Sequence, residues 1–285
     1  MFRTIKRIHS AVYRPIDDLI TYSPLPTPTL DQIDPFIFLN HHGPQIYPAH
    51  NHGLPFGPHP HRGMETVTFI LQGDIAHRDS SGHQSVITSG GIQWMTAGSG
   101  LIHAETSSER FLEDGGPMEI LQLWLNLPAK YKMTPPFYKG LQEADIPVIV
   151  ARDEITRIQL ISGSLDSTTG PITPLTDVFM SIIHLASGSD IQLSVPDEKN
   201  IFLYVVHGHI LIRGQIIPKL HLAEFNNDGH ELNIKSDQSA LILCGHATPF
   251  NEPKVARGPF VMNTEQEIYQ AYQDYHAGKF GSWTQ

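Results

Sequence analysis

Apolar and polar positions along this chain fall into short runs that alternate or stay continuously apolar, and almost nowhere keep helical spacing. Thr66-Val67-Thr68-Phe69-Ile70-Leu71 is β-branched and aromatic and runs into Gln72-Gly73-Asp74, the form of a strand closed by a tight turn. The same texture predicts strands at 35–40, 84–88, 92–95 and 118–127, where Pro128 stops the run. It returns at 147–152, 157–162, 178–185, 201–206, 209–213 and 239–244. Residues 1–34 read as mostly irregular, broken by Pro15, Pro24, Pro26 and Pro28. One helix is predicted: Thr264 and Glu267 form a capping box, 268–276 the body, and Gly278 the stop.

Sliding the chain by 135 residues lays 65–73 over 200–208, each a short strand ending at glycine. Internal similarity at domain length predicts a duplicated β-barrel. The expected division is a first domain over 1–135 and a second over 136–285 that includes the terminal helix.

Composition supports this reading. The 23 Gly and 22 Pro suit many strands and turns, and 40% apolar with 17% charged residues is a globular balance. The net charge of −10 argues against direct nucleic-acid binding, which needs clustered Lys and Arg. Nothing approaches the ~18 unbroken apolar residues of a membrane helix. The single cysteine, Cys244, excludes an intramolecular disulfide and a Cys-based zinc site. The Met1-Phe2-Arg3-Thr4-Ile5 start lacks a signal peptide's apolar stretch, so a cytoplasmic setting is expected.

Histidine, at 17 residues, changes the picture because it clusters. In His59-Pro60-His61 both imidazoles share one face of an extended segment, and His103-Ala104-Glu105 has the same spacing. Two such segments can aim three imidazoles and a carboxylate at one centre, a donor set that suits Fe(II), Mn, Cu, Ni or Zn. A six-coordinate ion held by four side chains keeps two positions open, enough for a substrate oxygen and O₂. His50-x-His52 is a rival pair without a following strand, and with His41 and His42 it lies in a Pro/Gly/Asn-rich stretch. The remaining histidines, His77 and His246 among them, read as surface or hydrogen-bonded core groups.

These segments resemble the two cupin signatures: His59-x-His61-x-x-x-Glu65 with Gly73, then Gly91 and 98–103, with Gly98 where proline is usual. Residues 58–67, 93–105, 121–128 and 258–264 together resemble the pirin family. The resemblance implies an all-β bicupin, two stacked antiparallel jelly-roll barrels with a C-terminal helix. It implies one mononuclear iron, Fe(II), in the N-terminal barrel on His59, His61, His103 and Glu105. The C-terminal barrel is expected to hold no metal, since the overlay sets Ser194 and Pro196 under His59 and His61.

Bacterial pirin-like proteins resemble quercetin 2,3-dioxygenases, which cleave a flavonol with O₂. On that reading Glu105 is also the catalytic base, Glu65 orients a ligand histidine from the second shell, and Phe56, Met64, Trp94 and Met95 are pocket candidates. The alternative is a non-enzymatic iron-dependent redox sensor or co-regulator that binds a protein partner. Closed barrels leave few sheet edges, so a monomer is expected.

Overall fold

The computed structural model describes residues 1–283, which form two compact β units of discontinuous sequence. The first comprises Tyr13–Tyr22, Phe36–Ala144 and the chain from Phe250 onward; the second comprises Met1–Val12, Ser23–Pro35 and Asp145–Pro249. This differs from a division at residues 135 and 136. The terminal helix belongs to the first unit because its buried face meets Phe260, Met262 and Phe280, and its Asp274 pairs with Arg62. The strand Ile5–Ser10, in a segment expected to be irregular, pairs with His221–Phe225 of the second unit.

Each unit is built from two antiparallel sheets with the same strand order. In the first, one sheet runs Ile92–Thr96, Met64–Gln72, Gly116–Asn126, Phe36–Tyr47, and the other Phe56–His61, Leu101–Thr106, Asp74–Asp79, Gln84–Thr88. In the second, the matching strands are His221–Phe225, Asn200–His207, Ala240–Ala247, Val178–Leu185, and Ser189–Ser194, Glu231–Ser236, His209–Ile212, Gln215–Pro218. The fold is thus a bicupin with a C-terminal helix: the duplication is the one the sequence repeat predicts, and the bicupin the one the family resemblance implies.

The two interiors differ. The second unit is filled by aliphatic side chains, among them Leu203, Ile210, Ile234 and Ile242, each fully buried and contributing about 1.5–3 kcal/mol. Its strand Ser189–Ser194 buries every second residue, so Leu193 and Val195 point inward while Ser194 is exposed. The sequence overlay, which set Ser194 and Pro196 under the His-x-His pair, is therefore out of step with the inward positions there. The first unit instead buries histidines, glutamines and a glutamate where its two sheets face each other.

Helix Glu265–His276 begins at the predicted capping box: Thr264 Oγ1 accepts from Glu267 N, and Glu267 Oε2 accepts from Thr264 N. Ile268, Ala271 and Asp274 form its buried face.

Candidate metal centre

Three neighbouring strands of the first unit deliver the histidines. Phe56–His61 lies antiparallel to Leu101–Thr106 with His59 opposite His103 and His61 opposite Leu101. On its other side Leu101–Thr106 places His103 opposite Asp79 and Glu105 opposite His77. Directly opposed residues share a face, so His59, His61, His103, Glu105 and His77 all point to one side. The ligand nitrogens of His59, His61 and His103 lie within 4.8 Å of one another.

Hydrogen bonds select the tautomers. His59 Nδ1 lies 2.7 Å from the Gly57 carbonyl, and His61 Nδ1 lies 3.3 Å from that of Pro259. A carbonyl only accepts, so each Nδ1 carries the proton and each Nε2 presents a lone pair. His103 Nε2 then donates to His59 Nε2 at 3.0 Å, while His103 Nδ1 is buried without a partner. Burial pushes His61 down to about 3, with His59 adding to the effect, and burial likewise holds His103 well below its ordinary value. Neutral imidazoles are the ligating form. A divalent cation would fit here: the converging nitrogens of His59, His61 and His103 would hold it, with the His103 proton carried on the otherwise orphaned Nδ1.

Glu105 sits beside this cluster but is held by other groups. Its Oε1 accepts from Thr68 Oγ1 at 2.8 Å and from Gln93 Nε2; its Oε2 accepts from Gln122 Nε2 at 2.5 Å. Gln93 Oε1 in turn accepts from the Tyr138 hydroxyl at 3.1 Å. Burial pushes the Tyr138 phenol up to about 12 despite its bond to Ser85. His77 stacks on Tyr138 with ring centroids 4.0 Å apart and donates from Nε2 to Asp79 Oδ2 at 3.1 Å. Thr68, Gln93, Gln122, Tyr138 and Asp79 were not anticipated from sequence. In sequence nothing sets them apart from ordinary strand residues.

Other candidates separate by sheet face. Glu65 is opposite Thr96 and takes a 2.6 Å bond from Thr96 Oγ1; Trp94 shares that face by alternation. Thr68 and Gln93, which reach Glu105, point the other way. Glu65 thus bonds to no ligand histidine, and burial pushes its carboxyl up. Met95 packs with Leu101 and Tyr138, and Met64 packs with Trp124. Trp124, in turn, stacks on Phe38 and meets the His61 ring edge-on at 5.2 Å. Phe56 lies 5.1 Å from the His42 ring. His41 and His42 belong to a buried strand rather than a loop, bonded to Glu119 (2.9 Å) and Thr21 (2.9 Å). His50 and His52 are exposed and outside the cluster.

The turn after His61 is clamped. Gly63 has φ of 78°, and a Cβ there would lie 2.0 Å from the Val261 carbonyl. Lys132 Nζ donates to Gly63 O, Val261 O and Asn126 Oδ1 at 2.7–3.0 Å. Burial pushes this ammonium down to about 8.

The comparisons agree with this architecture. Residues 18–125 match the Pirin family model and 180–281 match that of the Pirin C-terminal cupin domain. A pirin-like protein of Caulobacter vibrioides is 35% identical over 258 residues, covering 90% of this chain and 91% of its own. One of Solanum lycopersicum is 35% identical over 292 residues, covering 97% and 92%. A crystal structure of quercetin 2,3-dioxygenase from Acinetobacter baumannii superposes with a TM-score of 0.92 at 32% identity, covering 99% of both chains. An Escherichia coli pirin solved with nickel(II) shares the fold at a TM-score of 0.68 and 21% identity, covering 85% of this chain and 99% of that one. With both cupin halves matched and three histidines converging in the first, the chain belongs to the pirin family.

Proposed function

We propose that this chain is an iron-dependent dioxygenase of the quercetin 2,3-dioxygenase type, with His59, His61, His103 and Glu105 as the ligands of one Fe(II). The observation that carries this reading is the convergence of three imidazoles beside a carboxylate held only by neutral donors. The bound ion supplies Lewis acidity toward a flavonol hydroxyl and electron exchange with O₂.

The chain's own residues do the rest. His61 and His103 are buried and His59 is half-buried, so substrate approaches on the His59 side. Oε2 of Glu105, which carries a single donor, Gln122, is the oxygen that would hold the ion and, once freed from it, accept the flavonol's hydroxyl proton. Thr68 and Gln93 hold Oε1 and keep the carboxylate oriented, and Tyr138 fixes Gln93. Phe38 and Trp124 exclude water on the His61 side. Holding both reactants next to each other accelerates their combination by proximity. O₂ then adds across the flavonol's central ring, which opens with loss of carbon monoxide.

The test is O₂ uptake coupled to quercetin loss and carbon monoxide release by protein loaded anaerobically with Fe(II), beside a His61→Ala control. Turnover in the loaded protein and none in the control supports the reading. No turnover with iron bound, or equal turnover by His61→Ala, overturns it.

A further inference from the structure

The second unit contains a cavity of about 450 Å³ on an open strand face and, beside its aliphatic core, a more enclosed one of about 320 Å³. The second is within the size range of small-molecule sites. Leu165, Phe179, Leu193 and Val195 give it apolar walls; Asp177, Lys199 and His246 form its polar end.

His246 extends from the core-facing side of strand Ala240–Ala247, the side on which Ile242 and Cys244 are packed. It is 8% exposed, and its Nδ1 has no hydrogen-bond partner among the described residues. A buried polar atom left unpaired is costly unless a ligand or water meets it. Its ring lies parallel to that of Phe179, centroids 4.5 Å apart and 2° between planes. Burial, then the charge of Lys199, push His246 down to about 3 against the pull of Asp177, so it is a neutral imidazole with one N–H. Lys199 Nζ gives one of its three donors to Asp177 Oδ2 at 2.6 Å, and its side chain is only 12% exposed. Lys199 therefore keeps two N–H donors, beside the orphaned His246 nitrogen, at a polar end it shares with the Asp177 carboxylate. The acidic Asp197, Glu198 and Asp228 act on Arg3 and are absent from the lining.

The duplication shows why space is left here. Trp124 lies opposite Phe38 in the first unit, as His246 lies opposite Phe179 in the second, and both pairs stack. In the first unit that aromatic pair closes on His61. In the second the facing residues are the shorter Leu193 and Val195.

We propose that this cavity binds a small planar organic acid, with its carboxylate on Lys199 and His246 and its conjugated body against Phe179 and the aliphatic wall. A carboxylate satisfies the spare donors through charge-assisted bonds, and a flat body suits a wall of parallel rings. The site is independent of the histidine cluster and of any reaction there.

The probe is benzoate, with benzamide as its neutral counterpart, titrated into the full chain and followed by calorimetry and by ¹⁵N shifts of the histidine rings. The expected result is saturable one-to-one binding of benzoate that shifts the His246 nitrogens, with benzamide weaker by about tenfold or more. Lys199→Gln and His246→Phe, the latter keeping the stacked ring, should each weaken benzoate by about tenfold at unchanged melting temperature. If Lys199→Gln fails to fold, His246→Phe alone decides. His61→Ala should bind benzoate as the parent does. No saturable binding, equal affinity for benzamide, shifts confined to the other histidines, or loss of binding in His61→Ala would each overturn the proposal.

Discussion

Arg62 Nη1 donates to Asp274 Oδ2 at 2.8 Å, so the residue next to His61 is tied to the terminal helix. Arg62 also donates from Nε to the Ser99 carbonyl at 2.7 Å and lies 4.6 Å above the Phe280 ring. One guanidinium thus joins the strand that bears two histidines, the turn that leads to the third, and the helix.

Asp274→Asn leaves Arg62 buried without its anion. The expected loss is about 2 kcal/mol, or roughly 4–8 °C in melting temperature. Thermal unfolding checks it, and competition with a chelator should show faster metal loss from the variant. An unchanged melting temperature would mean the helix is anchored by Phe260, Met262 and Phe280 alone.

The same pair sets an acid limb. Lys279 first, then Arg62 and Gln270, hold the Asp274 carboxyl below the usual carboxylate range. A depressed folded-state value contributes stability that is complete above the unfolded value, about pH 4, and is lost as pH falls through the folded value. Denaturant midpoints of the parent and Asp274→Asn should therefore differ at pH 7 and draw together below about pH 4.

Gln122→Leu removes the single donor to Glu105 Oε2, and Gln93→Leu removes one from Oε1. On the proposed dioxygenase reading, each should lower kcat by about tenfold or more, because the carboxylate loses a bond that orients it. Bound metal should stay near that of the parent, since the three imidazoles are untouched and the Glu105 carboxylate is retained. Steady-state kinetics with metal analysis on the same samples separates the two effects.

Gly63→Ala places a methyl 2.0 Å from the Val261 carbonyl at a φ of 78°. The turn must shift, at a cost of about 3 kcal/mol or more. Soluble yield should fall, and the soluble fraction should hold less iron because His61 sits two residues before the turn. Equal yield and iron content would show that the clamp around Lys132 is pliable.

The convergence of His59, His61 and His103 was legible in sequence, because a one-residue gap on extended backbone fixes which side chains share a face. Glu65 was misread for the opposite reason. Strand Met64–Gln72 is buried on both faces over Met64–Ile70, so no polar alternation marks which way each residue points. Thr68, Gln93 and Gln122 look in sequence like ordinary strand residues. Only the pairing of Met64–Gln72 with Ile92–Thr96 and Gly116–Asn126 aims them at Glu105. His41 and His42 were read as loop because prolines and glycines follow them, yet Phe36–Tyr47 continues through Gly43 and Pro44 as one strand. The exchange of terminal segments between the two units is non-local pairing that periodicity does not encode.

The carbonyl of Pro259 that orients His61 lies 198 residues further along the chain. At 5–20 residues per second of synthesis, the ribosome takes roughly 10–40 s to get from one to the other. For most of that interval a nascent chain already carries His59, His61 and His103 but lacks the bond that orients the His61 ring. The orientation of His61 is in this way completed only near the end of translation, and a stalled or clipped chain carries three histidines without that bond.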